Sequence, residues 1–247
     1  MEEGRVHYRL DLLIRVLDAT TGRPVTENDI RFFRNDKVET ALNRGEGCYI
    51  FMNCGRENCL MRVEVYGFYP QTVTVDYEKM EDYLPSIDVF LIPSEKQQIE
   101  GRLLTVQGKL SGLVAVEAIH PGRPVSSIRE YDAKKHTITV LAPNRRMNLQ
   151  RLYYGVFNPN EDTFEDIIVK EELSNKKVLL KEPIKNELPQ NAPLHAITFG
   201  QVDEDGTYRL AVLNDGKDQN YLVKYIVNGE TRYKKIDLQN ISEVTLD

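Results

Sequence analysis

Apolar and polar residues alternate along most of this chain with the period of two that marks half-buried β-strands. In the stretch Leu10-Asp-Leu-Leu-Ile-Arg-Val16, the residues Leu10, Leu12, Ile14 and Val16 fall on one side. Over residues 8–92 the pattern predicts strands near 8–17, 30–34, 47–52, 60–66, 71–77 and 87–92, with a seventh near 37–42. Turn residues separate them: Thr21-Gly22, Asn35-Asp36, Asn43-Arg44-Gly45, Asn53-Cys54-Gly55 and Gly67 to Pro70. Asp76 to Leu84 reads as one helical turn or a loop. Strands are predicted again from Ile99, then at Leu113–Ile119, His136–Leu141, Leu152–Phe157, Phe164–Val169 and Lys177–Leu180. Leu113–Ile119 is apolar on both faces, which predicts a central strand.

The last part reads as a meander of strands at Leu194–Phe199, Thr207–Leu213, Tyr221–Val227 and Thr231–Ile236, with Val244–Leu246 closing an edge. Asn214-Asp215-Gly216 marks a turn, and Asn228-Gly229 is a strong hairpin signal. The fold class predicted is all-β: tandem small β-sandwich units, Ig-like or prealbumin-like, followed by a C-terminal meander. The polar run Pro93–Gln98 and the proline-rich run Pro183–Pro193 divide the chain into 1–95, 96–190 and 191–247. The last segment is small for independent stability and is expected to complete a sheet of the middle one if it does not stand alone.

Length and charge narrow the function. The chain has 247 residues, enough for two domains or three small ones, and a net charge of -6. Lysines and arginines are interspersed with acids and form no stripe, so nucleic acid is not an expected partner. The N-terminus Met1-Glu-Glu-Gly-Arg5 lacks the apolar core of a signal peptide, and no apolar run is long enough to span a bilayer. These features predict synthesis in the cytoplasm without a leader, and membrane insertion is not expected.

The residues Ile14, Val16, Asp18, Thr21, Gly22, Pro24 and Val25, then Gly47 and Tyr49, then Tyr66-Gly67-Phe68-Tyr69-Pro70, give residues 10–93 a resemblance to the prealbumin-like modules, also called carboxypeptidase-regulatory-like or CnaB-like. The resemblance covers about a third of the chain and implies a structural or binding unit attached to a larger protein. The stretch from Tyr49-Ile-Phe-Met-Asn-Cys54 through Phe90-Leu-Ile-Pro-Ser-Glu95 is also similar in style to small accessory proteins of phage tails and tailocin-like particles. That similarity implies a protein subunit of a virion or released particle.

Candidate chemistry is sparse. The chain carries no Gly-x-Ser-x-Gly, no phosphate-binding glycine loop and no His-Glu-x-x-His. His7, His120, His136 and His195 are dispersed, which reads as strand-end or surface histidines. Asp203-Glu-Asp-Gly206 reads as a hairpin turn, since an EF-hand alignment leaves Val212 where the bidentate glutamate belongs. Asn158-Pro-Asn-Glu-Asp162 reads as a turn, with a weak Ca²⁺ site as the alternative. Cys48, Cys54 and Cys59 read as free thiols, with a Cys54–Cys59 bridge and a metal site as alternatives. No catalytic residue, metal ligand or cofactor is assigned.

Tyr66, Phe68, Tyr69, Tyr153 and Tyr154 remain as a candidate binding patch, weighed against core and turn packing. The function expected is a non-enzymatic structural or interaction subunit of a larger assembly, such as a contractile-tail or tailocin particle. The alternatives are a carbohydrate- or surface-binding adhesin and a hydrolase whose site assembles only in three dimensions.

Overall fold

A computed structural model of the chain describes residues 9–26, 29–80, 83–94, 103–141, 153–174, 176–214, 216, 219–238 and 246. The expected strand starts at 8 and 99, the last residues of the linker at 93–98, Asp215 of the predicted turn, and residues 244–245 of the closing strand lie outside them. The protein is all-β, with a single 3₁₀ turn at Tyr77–Lys79 and no α-helix among the described residues. It divides into two compact units: Met1–Asp18 with Pro24–Gln97, and Ala19–Arg23 with Gln98–Asp247.

The first unit holds two four-stranded sheets. One has the order β4 (Leu42–Asn43), β5 (Cys48–Met52), β1 (Leu10–Asp18), β8 (Ser86–Leu91), with β1 antiparallel to β5 and parallel to β8. The other runs β3 (Lys37–Glu39), β2 (Arg31–Arg34), β6 (Cys59–Glu64), β7 (Gln71–Val75), all antiparallel. Alternate residues of both sheets meet in one core: Ile14 and Val16 of β1, Phe51 of β5, Phe32 of β2, Met61 and Val63 of β6, and Val89 of β8. The Phe32 ring stands 5.1 Å from that of Phe51, nearly perpendicular to it. A register shift between Leu10 and Leu12 interrupts the alternation of β1. Asp11 is buried there, and its carboxylate accepts from the Gly55 N–H at 3.0 Å and Arg9 Nε at 2.5 Å.

The second unit is a six-stranded sheet into which a barrel is inserted. The sheet order is β20 (Glu230–Asp237), β19 (Asn220–Val227), β10 (Leu113–Ile119), β17 (Thr198–Val202), β18 (Thr207–Leu213), β9 (Leu103–Lys109). The barrel closes in the order β11 (Ser126–Asp132), β12 (Thr137–Val140), β15 (Lys177–Leu180), β14 (Thr163–Ser174), β13 (Tyr153–Asn158), β16 (Pro193–Ala196). All barrel strands lie between β10 and β17 in sequence, so the meander shares a sheet with β9 and β10.

Two local expectations are corrected. The single strand expected at Leu194–Phe199 is two strands broken at Ile197, with Leu194 in the barrel core and Phe199 paired to Glu117 of the sheet. Ser126–Asp132 is a strand that alternation does not predict: Ser-Ser-Ile-Arg-Glu-Tyr-Asp carries only two apolar positions, and only Ile128 is buried. The Asn228-Gly229 hairpin is as expected, with both residues at positive φ, the left-handed conformation that a two-residue turn of this kind demands.

Candidate functional site

The five aromatic residues singled out from the sequence do not form one patch. Val63 and Val65 point into the first unit's core, so Tyr66, next in the alternation beyond β6, points outward and is 74% exposed. Gly67 follows at φ +85, a conformation glycine adopts without steric cost, and the reversal returns Phe68 to the core. Tyr69 is half-buried, and its N–H donates to the Ile92 carbonyl at 2.9 Å. In the second unit Tyr153 is half-buried with its ring 5.3 Å from that of Phe199, and Tyr154 lies in the barrel core. Only Tyr66 presents its ring to solvent.

Tyr66 lines a groove of about 640 Å³ with Asp29, Ile30, Arg31, Glu64, Val65 and Pro70. Arg31 and Glu64 are cross-strand partners on β2 and β6, and their side chains pair at 3.1 Å. Arg62 binds Glu64 from the next outward position of β6 and lies over the Phe33 ring, 4.3 Å from its centroid. Val38 of β3 is in register with Phe33 and is 77% exposed. The outer face of this sheet therefore reads Val38, Phe33, Arg62 across the strands, with Leu60 exposed on one side and the Arg31–Glu64 pair and Tyr66 on the other. Apolar surface interleaved with paired charges suits a partner offering both a flat apolar or aromatic contact and hydrogen-bonding groups.

A second polar constellation lies inside the second unit, between sheet and barrel. Glu117 of β10 and Lys224 of β19 are cross-strand partners whose side chains face β14 of the barrel. The Lys224 ammonium donates to Asp166 Oδ2, and Glu117 Oε2 lies 2.8 Å from the same nitrogen. Asp166 Oδ1 has no hydrogen-bond partner among the described residues. Lys224 also lies 5.2 Å from the Phe164 ring centroid, and Tyr233 donates its hydroxyl to the Phe164 carbonyl at 2.9 Å. Burial and the neighbouring Asp166 charge push the Glu117 carboxyl up to about 7, against the opposing pull of Lys224. Burial alone would lower the Lys224 ammonium, and the two carboxylates outweigh it and hold it above its ordinary range.

The sequence reading did not single out this trio. Its signal was a lone charge inside each of two apolar runs, Leu113-Val-Ala-Val-Glu-Ala-Ile119 and Tyr221-Leu-Val-Lys-Tyr-Ile-Val227. Asp166 carried no comparable signal, because Phe164-Glu-Asp-Ile167 reads as ordinary alternation.

The other candidates resolve individually. His195 is fully buried with its ring 5.8 Å from that of Phe157, and burial pushes the imidazole down to about 4. His120 is buried edge-on to Tyr221, at 4.9 Å between ring centroids. His136 opens β12 at positive φ, and His7 lies outside the described residues. The three cysteines are free, and burial raises the thiol pKa of Cys48 and Cys54. Asp205 in the β17–β18 turn accepts from Lys109 Nζ at 2.5 Å and from the Thr207 N–H at 2.9 Å. Asp162 of the β13–β14 turn pairs with Lys235 at 2.7 Å. Among the described residues no helix is long and apolar enough to cross a membrane, and no group of three or more His, Cys, Asp or Glu is placed to hold a metal ion.

Comparison with protein-family models, with curated proteins and with solved structures finds no match.

Proposed function

We propose that the chain is a non-enzymatic interaction subunit of a larger assembly and that it works through the outer face of the β3-β2-β6-β7 sheet. The observation that carries this reading is the exposure of Val38 and Tyr66 on a face whose charges are already paired with one another. Paired charges ask little desolvation of an incoming partner, while Tyr66 and Val38 supply the apolar area that contact buries. The short outer strand β3 also leaves one edge of the sheet for strand pairing.

Two facing four-stranded sheets in residues 10–91 support the prealbumin-like reading of the first unit, a module that acts by contact. The assembly we favour is a phage-tail-like particle, built from cytoplasmically made protein subunits. Purification from the native source under gentle conditions, with co-purifying chains identified, tests this. A stoichiometric complex is expected, and a lone 28.5 kDa chain would overturn it.

The exposed Tyr66 ring at the lip of a groove carrying Arg31, Glu64 and Asp29 favours one second reading, a carbohydrate-binding surface. A glycan array separates the two: binding lost in Tyr66→Ala supports the sugar reading, and an empty array removes it.

A further inference from the structure

Cys54 and Cys59 stand at the two ends of the loop that carries the chain from β5 in one sheet of the first unit to β6 in the other, with four residues between them. Both are free thiols. We propose that they are a redox pair: a small disulfide of the glutathione type oxidises them to an intramolecular Cys54–Cys59 disulfide, with Cys54 attacking first and Cys59 completing the bridge. Cys59 faces the core, away from the outer face of its sheet, so this chemistry does not depend on partner contact there.

Sheet register brings the pair to one guanidinium. Arg34 of β2 is the cross-strand partner of Met61 of β6, whose side chain is in the core, so Arg34 leaves the inner face of the sheet as Phe32 does. Cys59, two residues before Met61, projects from that same face and is buried. It is thus the diagonal neighbour of Arg34, about 7–8 Å away across the strands and within reach of a long side chain. The Arg34 guanidinium hydrogen-bonds the Cys59 side chain. It also donates to the carbonyl of Cys54 and, at 3.1 Å each, to those of Gly55 and Glu57. The loop is therefore folded around one side chain, with a cysteine at either end of it. The Cys54 side chain packs against the core cluster to which Cys59 belongs. Asn53 and Gly55 flank Cys54 at φ +56 and +83, and the Gly55 N–H donates to the Asp11 carboxylate at 3.0 Å, which fixes the turn. Cys48 is no competitor: it lies at the far end of β5 opposite Arg15, four residues or about 14 Å of strand from Met52.

Exposure sets the order of attack, because Cys54 is half-buried and Cys59 is buried. The Cys54 thiolate attacks one sulfur of the small disulfide and forms a mixed disulfide. The old S–S bond breaks, and the departing thiolate takes up the proton that Cys54 lost. Cys59 then gives up its own proton and attacks the Cys54 sulfur, which forms the internal S–S bond and expels the second small thiol. The two protein thiols lose two electrons and two protons, and the small disulfide gains them and leaves as two thiols. Burial raises the Cys54 thiol pKa against the opposing Arg34 charge, so exchange is slow near neutral pH and quickens in mild alkali.

The test is incubation of the folded, fully reduced full-length protein with oxidised glutathione, followed by acid quenching and intact-mass measurement. In Cys48→Ser, which removes the distant thiol, the oxidised chain is expected to weigh two hydrogens less than the reduced one, to carry no glutathione and, once denatured, to take up no alkylating agent. Cleavage after Arg56 separates Cys54 from Cys59, so the peptides that end at Arg56 and Arg62 are expected to stay joined until reduced. The wild type is expected to give the same joined pair, with Cys48 outside the bridge. Cys59→Ser is expected to stop at one glutathione held on Cys54. A Cys48→Ser chain that keeps two alkylatable thiols or stops at a glutathione adduct overturns the proposal, as does a wild-type bridge made through Cys48 or a Cys59→Ser chain with no glutathione on Cys54.

Discussion

Two clusters of charged groups, one on each unit, differ in their surroundings: two arginines share one glutamate on the first, and two carboxylates share one lysine in the second. On the first unit Arg31, Arg62 and Glu64 lie on the outside of a sheet, where water screens them. In the second, Lys224, Glu117 and Asp166 lie between a sheet and a barrel. The outer cluster lies on an exposed sheet face, where ion pairs contribute little to stability; the inner one joins strands of the sheet to a strand of the barrel.

The largest effect follows from breaking the inner cluster. Lys224→Met leaves the half-buried Glu117 and Asp166 carboxylates without their shared cation and is expected to cost about 3 kcal/mol, read by denaturant unfolding. Arg31→Met, its counterpart on the outer face, is expected to cost about 1 kcal/mol or less. Equal losses would erase the distinction between the two clusters.

Acid sharpens the comparison. His195 has its pKa depressed from 6.5 to about 4 in the folded state. The unfolded chain takes up a proton that the folded chain refuses, so the stability is present above about pH 6.5 and is lost as pH falls toward 4. The full loss is on the order of 3 kcal/mol at this fully buried position. It should appear as a falling midpoint of the second unit over that window, and His195→Phe should flatten it. A wild-type profile that is flat there would show that the imidazole titrates normally.

How far the sequence led differs between the units for a related reason. The strands of the first unit lie near the places that alternation predicts, because β1, β2, β5 and β6 each turn one face to the core, which is the situation a period of two reports; β3 and β4 bury no residue. In the second unit β19 is covered on both faces, so its alternation carries no orientation. Tyr221, Val223, Tyr225 and Val227 were readable as one face, but the barrel covering Leu222 and Lys224 on the other was not. The break at Ile197 was equally silent: an apolar residue inside a strand-like run marks no turn, and only closure of the barrel forces the chain to change partners there. Of the candidate patch, the exposed position of Tyr66 follows from counting outward from Val63, whereas the return of Phe68 to the core depends on the positive φ of Gly67. Tyr153 and Tyr154, adjacent in sequence, had to point to opposite sides, so they could never have shared a surface.

A smaller effect probes the join of barrel and sheet. A Cβ added at Gly155 would lie 2.9 Å from Ile119 Cγ2 and 3.1 Å from the Phe164 ring. Gly155→Val is expected to cost about 1–3 kcal/mol through overpacking, measured by thermal unfolding. The smallest effect is at the surface: Tyr66→Ala should change stability by less than about 0.5 kcal/mol while weakening partner binding. A large loss of stability would place Tyr66 among the residues that hold the fold.

The most direct test of the contact account is sedimentation of the protein in extract from its native source, comparing wild type with the double variant Val38→Asp, Tyr66→Ala. The account predicts that the wild type sediments in a complex of fixed composition and that the double variant, still folded, sediments as a lone 28.5 kDa chain. A wild type that sediments alone, or a double variant that keeps every partner, would contradict it.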